Sequence, residues 1–342
     1  MSEKTTKVVL IGYGHIGKRH AAVIMASNYF ELIALVDTHH EKRPENLPET
    51  VGFFVTLNDF LSSENNARLA IIATPNGLHG QQIKKCLNHG LDVVAEKPIV
   101  LSSTELNKLH QMAIDAGLHL FPVVQNRYAK IALWLKQVLY KEFLGKVYII
   151  QVNCLWNRDE RYYQPGSWHG DLQLDGGSLY TQFLHFIDML YWLFGKPTVK
   201  SATLLDFNHQ TLSSFEDSGL VQFEFTNGIA KDALAAMTFS TAAWGKNAES
   251  SLTILGENGT IKIGGQYMEK LQYAIGNGLE NEAVLQTELS KDAYKEKYGA
   301  AGGHYQFWDQ MEKFYSGLPH ALPTVQEATE VIEIIEQIYQ HR

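Results

Sequence analysis

An apolar run of strand length, Lys7 to Ile11, breaks at once into Gly12-Tyr13-Gly14-His15-Ile16-Gly17. Lys18 to Ser27 then continues with Ala21, Ala22, Ile24 and Met25 placed for helical packing. A strand feeding G-x-G-x-x-G feeding a helix leaves few folds open. The first glycine permits a tight turn, the second lets backbone approach a pyrophosphate, and the third lets helix and strand pack closely. The unpaired N–H groups of the helix start then face the phosphates. A second apolar run, Leu32 to Val36, ends in Asp37, twenty residues past Gly17. An acid there suits the adenosine ribose hydroxyls and repels a 2′-phosphate, which points to NAD rather than NADP, although Lys42 and Arg43 stand close by in sequence. An ordinary βαβ unit could carry the same glycines merely as a turn. The order of strand, motif, helix and acid favours the dinucleotide.

Strands and helices alternate to about residue 125. Apolar runs at 69–73, 91–95 and 119–124 end in Thr74-Pro75-Asn76-Gly77, Glu96-Lys97-Pro98 and Gln125. Helices are expected at 56–62, at 79–89 and from Ser102 or Ser103 to Ala116, where Glu105 completes a capping box. The pattern is α/β, a doubly wound parallel sheet, with ligands outside the strands' carboxyl ends. Past residue 145 the rhythm changes to a strand at 146–156, a helix at 177–194, and strands at 199–207, 218–225, 229–239, 250–255, 260–263 and 270–274. Asn227-Gly228 between two of them is a hairpin signal. This second part reads as α+β with a mostly antiparallel sheet. Apolar stripes at 304–316 and 325–339 read as core-covering helices. The expected domains are 1–125 and 126–342, with the terminal helix free to pack back on the first.

A chain of 342 residues is long for one core. Its net charge of −8 argues against nucleic acid or an anionic membrane surface as main partner. The N-terminal residues do not resemble a signal peptide, and no apolar run reaches the roughly 18 residues needed to span a bilayer. The cytoplasm is the expected location. Cys86 and Cys154 form no CxxC pair and the histidines lack ligand spacing, so no metal is expected.

Lys97 follows a buried strand at the expected ligand edge, either solvated or aimed into the site, and Pro98 constrains the backbone beside it. Beside the cationic ring of NAD⁺ a lysine's neutral form is favoured, able to take or relay an alcohol proton. Gln182, His185 and Asp188, spaced by three, put a polar stripe on an otherwise apolar helix. His185 there is either a satisfied core group or a functional one. Upstream lie Trp156, Arg158, Arg161, Tyr162, Tyr163, Trp168 and His169. Arginines among aromatics suit a sugar ring carrying a carboxylate or phosphate, or a local packing cluster.

Together these residues resemble the glucose–fructose oxidoreductase / inositol dehydrogenase / MocA family. The matching pieces are Gly12 to Gly17 with Asp37, Ala73-Thr74-Pro75-Asn76 with His79, Glu96-Lys97-Pro98, Gln125-Asn126-Arg127-Tyr128, and Asp175-Gly176-Gly177 leading to His185-Phe186-Ile187-Asp188. The resemblance implies a Rossmann domain followed by an open, mostly antiparallel sheet whose face makes a homodimer or homotetramer. It implies hydride transfer between nicotinamide and a sugar or cyclitol hydroxyl, with Lys97 and His185 catalytic. Cofactor contacts fall on Gly12, Gly14, His15, Ile16, Gly17, Asp37, Thr74, Asn76, His79, Glu96 and Lys97. Substrate contacts fall on Lys97, Asn126, Arg158, Tyr163, Trp168, Thr181, Gln182 and His185. Thr181 stands where many members carry Asp, and Trp168-His169 where many carry Trp-Arg. Thr-Gln at this point, with the Trp156-x-Arg158, Tyr162-Tyr163 and Trp168-x-Gly170 patterns, resembles the branch that oxidises nucleotide-linked sugar uronates. The expected substrate is therefore a UDP-N-acetylated hexuronate oxidised at C3. An inositol or aldose dehydrogenase, and a non-catalytic dinucleotide-binding regulator, are the alternatives.

Overall fold

The computed structural model describes residues 6–39, 41, 43–45, 47–266, 268–276, 279 and 303–341; His40 and Lys42 lie outside them. It divides into two compact units, Met1–Val124 with His304–Thr329, and Gln125–Gly303 with Glu330–Arg342.

The first unit holds a six-stranded sheet in the order β3-β2-β1-β4-β5-β6. Its strands are β1 (Thr6–Ile11), β2 (Phe30–Val36), β3 (Gly52–Phe54), β4 (Leu69–Ile72), β5 (Asp92–Ala95) and β6 (Leu120–Pro122). Every neighbouring pair is parallel. Val8, Val9, Leu10, Leu69, Ala70, Ile71 and Ile72 are wholly buried, as strands covered on both faces require. The strand order reverses between β1 and β4, so the ligand crevice opens after Ile11 and Ile72. The helices start on sequence signals: Thr56 accepts from the Asp59 amide to cap Leu57–Ser62, and Ser102 accepts from the Glu105 amide to cap Ser103–Asp115. Phe307, Trp308 and Met311 of the helix Gly303–Tyr315 are core residues, as the stripe implied.

The second unit carries a seven-stranded sheet in the order β13-β12-β11-β7-β10-β9-β8. Its strands are β7 (Val147–Leu155), β8 (Thr198–Leu205), β9 (Ser218–Glu224), β10 (Leu234–Ser240), β11 (Glu249–Gly256), β12 (Gly259–Gly264) and β13 (Lys270–Gly276). Only β7 and β10 run parallel; the other pairs are antiparallel. One face buries Phe223, Met237, Phe239, Ile150, Val152, Leu252 and Ile254. The alternate positions on the other face read Gln222, Ala236, Gln151 and Thr253 across adjacent strands. This α/β and α+β architecture is the one the periodicity implied. Three local readings change. Residues 130–140 form a helix that the sequence reading left unassigned. The strand read from Ile229 begins only at Leu234, because Gly228 to Ala233 turn, with Gly228 at φ 71°. The helix read over 177–194 is a π-helical turn, Leu179–Phe183, running into an α-helix, Leu184–Phe194.

Candidate active site

In the first unit the three motif glycines do different work. A Cβ on Gly12, whose φ is 91°, would lie 2.5 Å from the Ala73 carbonyl oxygen, and one on Gly17 would lie 2.0 Å from the Gly12 carbonyl oxygen. Those two are fixed by turn and packing. A Cβ on Gly14 would meet nothing within 4 Å, so the space there is open to a ligand. Gly14 is also the N-cap of the helix His15–Met25 and brings no side-chain cap, which leaves the first-turn N–H groups for phosphate oxygens. Asp37 ends β2, where its carboxylate accepts from the Tyr13 amide (2.8 Å) and the His39 amide (2.9 Å). These bonds hold a carboxylate at the end of β2, beside the motif turn. His15 is exposed beside Ile16, with Arg19 Nη2 at 2.8 Å. The residues present fit an adenine dinucleotide.

After β4, Thr74 Oγ1 donates to Gln82 (2.6 Å) and Asn76 is buried in a short 3-10 turn. His79 is fully buried, with Nδ1 2.8 Å from the Pro98 carbonyl and Nε2 2.8 Å from the Thr74 carbonyl. It joins the turn after β4 to the turn after β5; burial pushes its pKa down despite both carbonyls. Lys97 is half-buried, its amide donates to Glu96 Oε2 (3.1 Å), and its bond to Pro98 is cis.

In the second unit, the polar residues read as one stripe meet two different loops. Arg158 Nε donates to Gln182 Oε1 (2.7 Å), and Gln182 Nε2 donates to Tyr162 Oη (2.6 Å). Gln125 Nε2 lies 3.4 Å from His185 Nε2. Arg127 holds Asp188 with two bonds, Nε–Oδ2 at 3.0 Å and Nη2–Oδ1 at 2.6 Å, both residues being buried. Gln182 lies in the π turn, and His185 and Asp188 in the α-helix that follows, so the three do not share one regular helix. Thr181 Oγ1 donates to the Asp175 carboxylate in a short hydrogen bond, and Asp175 also accepts from the Gly170 amide (3.0 Å). A buried carboxylate thus stands beside the hydroxyl at the position where many resembling chains carry Asp.

The Arg158 guanidinium lies 4.8 Å from the Trp156 ring and 5.2 Å from Tyr162, and Nη1 donates to the Asn157 carbonyl (2.6 Å) and Asn247 (3.2 Å). Tyr162 stacks on His169 at 4.1 Å, and Trp168 lies 3.9 Å from His169. Burial pushes the phenols of Tyr162 and Tyr163 up, so both are neutral. Tyr163 is buried against His209 and Phe215, and Arg161 turns outward onto Asp159. Asn126 is buried in the 3-10 turn Gln125–Tyr128. Sequence reasoning passed over Asp175 as partner of Thr181, and Gln125 and Arg127 as partners of the helix. It also passed over His20, one helical turn after Gly17 and hydrogen-bonded to Glu96. The spacing of His20 from Gly17 was the one available signal.

The family model described as oxidoreductase family, NAD-binding Rossmann fold, matches residues 6–123, and that of the family's C-terminal alpha/beta domain matches residues 136–342. The WlbA dehydrogenase from Bordetella pertussis, solved in complex with NADH and UDP-GlcNAcA, is 26% identical with a TM-score of 0.90, covering 100% of this chain and 96% of that one. WlbA from Chromobacterium violaceum, with the same two ligands, is 26% identical with a TM-score of 0.84, covering 100% and 94%. The scyllo-inositol 2-dehydrogenase (NADP(+)) IolW of Bacillus subtilis is 25% identical over 221 residues, 61% of this chain and 60% of its own length. The match spans about three fifths of the length of such curated relatives. With both family models matched in order along the sequence, the chain belongs to the Gfo/Idh/MocA oxidoreductase family, and its first domain is an NAD-binding Rossmann fold.

Proposed function

We propose that the protein is an NAD-dependent dehydrogenase that oxidises the C3 hydroxyl of a UDP-linked N-acetylated hexuronate. The carrying observation is the full-length similarity to WlbA, solved with NADH and UDP-GlcNAcA. The Arg158 cluster supports the same reading, because a planar cation held between aromatic rings suits a carboxylate or phosphate on a sugar. Gly12, Gly14, His15, Ile16, Gly17, Asp37, Thr74, Asn76 and His79 hold or shape the dinucleotide site in this reading, and Arg158, Gln182, Trp168, Asn126, Tyr163 and Thr181 hold or shape the sugar site. Bound NAD⁺ supplies the hydride acceptor. The alcohol loses a hydride from carbon and a proton from oxygen, giving a ketone. His185 takes the proton, and Lys97 orients and polarises the hydroxyl. Thr181 contributes only a hydrogen bond, its own proton being committed to Asp175.

Among the described residues no helix is long and apolar enough to cross a membrane; a cytoplasmic homo-oligomer is part of the proposal. Leu220 and Leu234 stand exposed on the outward face of the second sheet, which a second copy would cover. The test is to mix the protein with NAD⁺ and UDP-2-acetamido-2-deoxy-glucuronate and follow reduced nicotinamide by absorbance. Turnover of that sugar above inositols and free aldoses supports the reading. Preference for an inositol, the substrate that IolW is named for, or for an aldose would replace it, and silence with all of them would leave a binding protein.

A further inference from the structure

Inside the first unit, Glu96 is buried with both carboxylate oxygens occupied. Oε1 lies 2.9 Å from His20 Nε2 and 3.1 Å from His304 Nε2, and Oε2 accepts from the Lys97 amide. Three buried ligand-type atoms this close have the composition of a metal site. Trp308 decides against it. Its indole N–H, a donor only, lies 3.0 Å from His20 Nδ1. Nδ1 must therefore accept, the ring proton sits on Nε2, and that nitrogen points a hydrogen at Glu96 and not a lone pair at a cation. His304 Nε2 lies against the same oxygen and donates likewise.

We infer that His20, His304 and Trp308 form a hydrogen-bond clamp on the Glu96 carboxylate, and that the clamped carboxylate is a positioning residue for Lys97. The inference rests on the role proposed above for that lysine. Burial alone would push the Glu96 pKa up, but the hydrogen bonds from the two imidazoles hold it well below the usual carboxylate range, and burial pushes the His20 pKa down. The clamp is a fixed carboxylate held by two imidazole N–H donors. Its last acceptor bond goes to the main chain of Lys97, and His79 lies against the carbonyl of Pro98 on the far side. The lysine's backbone is thus anchored before and after.

Glu96→Gln is the discriminating change, because an amide cannot accept from both imidazoles and from the Lys97 amide at once. The whole chain, labelled with ¹⁵N-histidine, should show His20 neutral with the proton on Nε2 at neutral pH and His304 protonated on Nε2, both unchanged by added Zn²⁺. Trp308→Phe should release His20 into a mixture of tautomers. In Glu96→Gln the Lys97 amide should exchange with solvent about tenfold faster or more, while Val94 within β5 is unmoved. With UDP-2-acetamido-2-deoxy-glucuronate and NAD⁺, kcat should fall about tenfold or more while KM for the sugar stays within about twofold. A zinc-shifted Nε2 resonance, a charged His20, or an unchanged Lys97 amide would overturn the clamp. An unchanged kcat would overturn the positioning role. If the wild type fails to turn over the sugar, the substrate reading fails, and the spectra and exchange rates still decide the clamp.

Discussion

Each unit buries a carboxylate next to a residue proposed to do chemistry, and the two are satisfied in different ways. Asp188 in the second unit is met by a full counter-charge, the bidentate guanidinium of Arg127, which itself lies about 6 Å from the Tyr191 and Trp192 rings. Glu96 in the first unit is met by ring N–H groups and one main-chain amide. The Asp188 pair is neutral as a whole. It ties the turn Gln125–Tyr128 to the helix Leu184–Phe194 one turn beyond His185, so its work is mechanical. The Glu96 site keeps its negative charge and carries it beside Lys97, so its work is local geometry with a field attached.

The largest expected effect breaks the catalytic half of that contrast. His185→Ala should lower kcat by about 10²–10⁴-fold, the usual worth of a placed acid/base, and leave NAD⁺ affinity within about twofold. Steady-state rates with the nucleotide sugar and NAD⁺ titration check it; a loss of only a few-fold, with chemistry rate-limiting, would make the histidine structural and Lys97 the base. Asp188→Ala leaves Arg127 buried without its partner and should cost about 3–5 kcal/mol in urea unfolding. Replacing both residues, Arg127→Met with Asp188→Leu, should recover most of that loss, because the pair is balanced. If the double variant is as unstable as the single one, the pair does more than cancel itself.

Next comes Arg158, whose bonds to Gln182 and Asn247 fix its plane. Arg158→Ala should lower kcat/KM about 10- to 100-fold, the worth of one or two charge-assisted hydrogen bonds, with NAD⁺ binding intact. Tyr163→Phe should do less, since Tyr163 is packed in the interior. For the cofactor, Asp37 should make NADPH bind about tenfold or more weakly than NADH, through repulsion of a 2′-phosphate. Asp37→Ser should narrow the gap; equal binding by the wild type would show that the carboxylate does not face the ribose.

The two units differed in how much could be read ahead. The first was legible because its constraints are backbone constraints: Gly12, Gly17 and Asp37 are dictated by a turn, a close approach and a strand end, which sequence order preserves. In the second, the serial strand-length runs and the Asn227-Gly228 turn signal pointed to the antiparallel sheet. The strand was read from Ile229, ahead of the Lys231-Asp232 break, and the π turn at Leu179–Phe183 carries no sequence signal that separates it from an α-helix. Site partners were the least legible. Arg158 and Gln182, 24 residues apart, or His20 and Glu96, 76 apart, meet only through the fold. His304 was read as the start of a core helix, and nothing local marks it as a donor to Glu96.

The smallest expected effect sharpens the contrast through pH. His20 and His79 are buried, and burial pushes both imidazoles below their ordinary pKa of 6.5. In the unfolded chain they protonate as pH falls through that value, while in the fold they do so only at lower pH. The unfolded state therefore binds more protons, and stability drops as pH falls below about 6.5, by roughly 1.4 kcal/mol per pH unit for each such histidine. Glu96 has the same sign lower down: the unfolded carboxyl protonates near 4.5, and the folded one, held well below that by its imidazole donors, does not. Its stabilisation is present above about 4.5 and is lost as pH falls toward the folded value. Asp188 faces the permanent cation of Arg127. Urea midpoints measured from pH 7 downward should thus bend first near 6.5, and His20→Asn should remove about one proton's worth of that slope. If the slope in this window is unchanged in His20→Asn, His20 is charged in the fold, and the neutral clamp on Glu96 gives way to an ion pair like the one at Asp188.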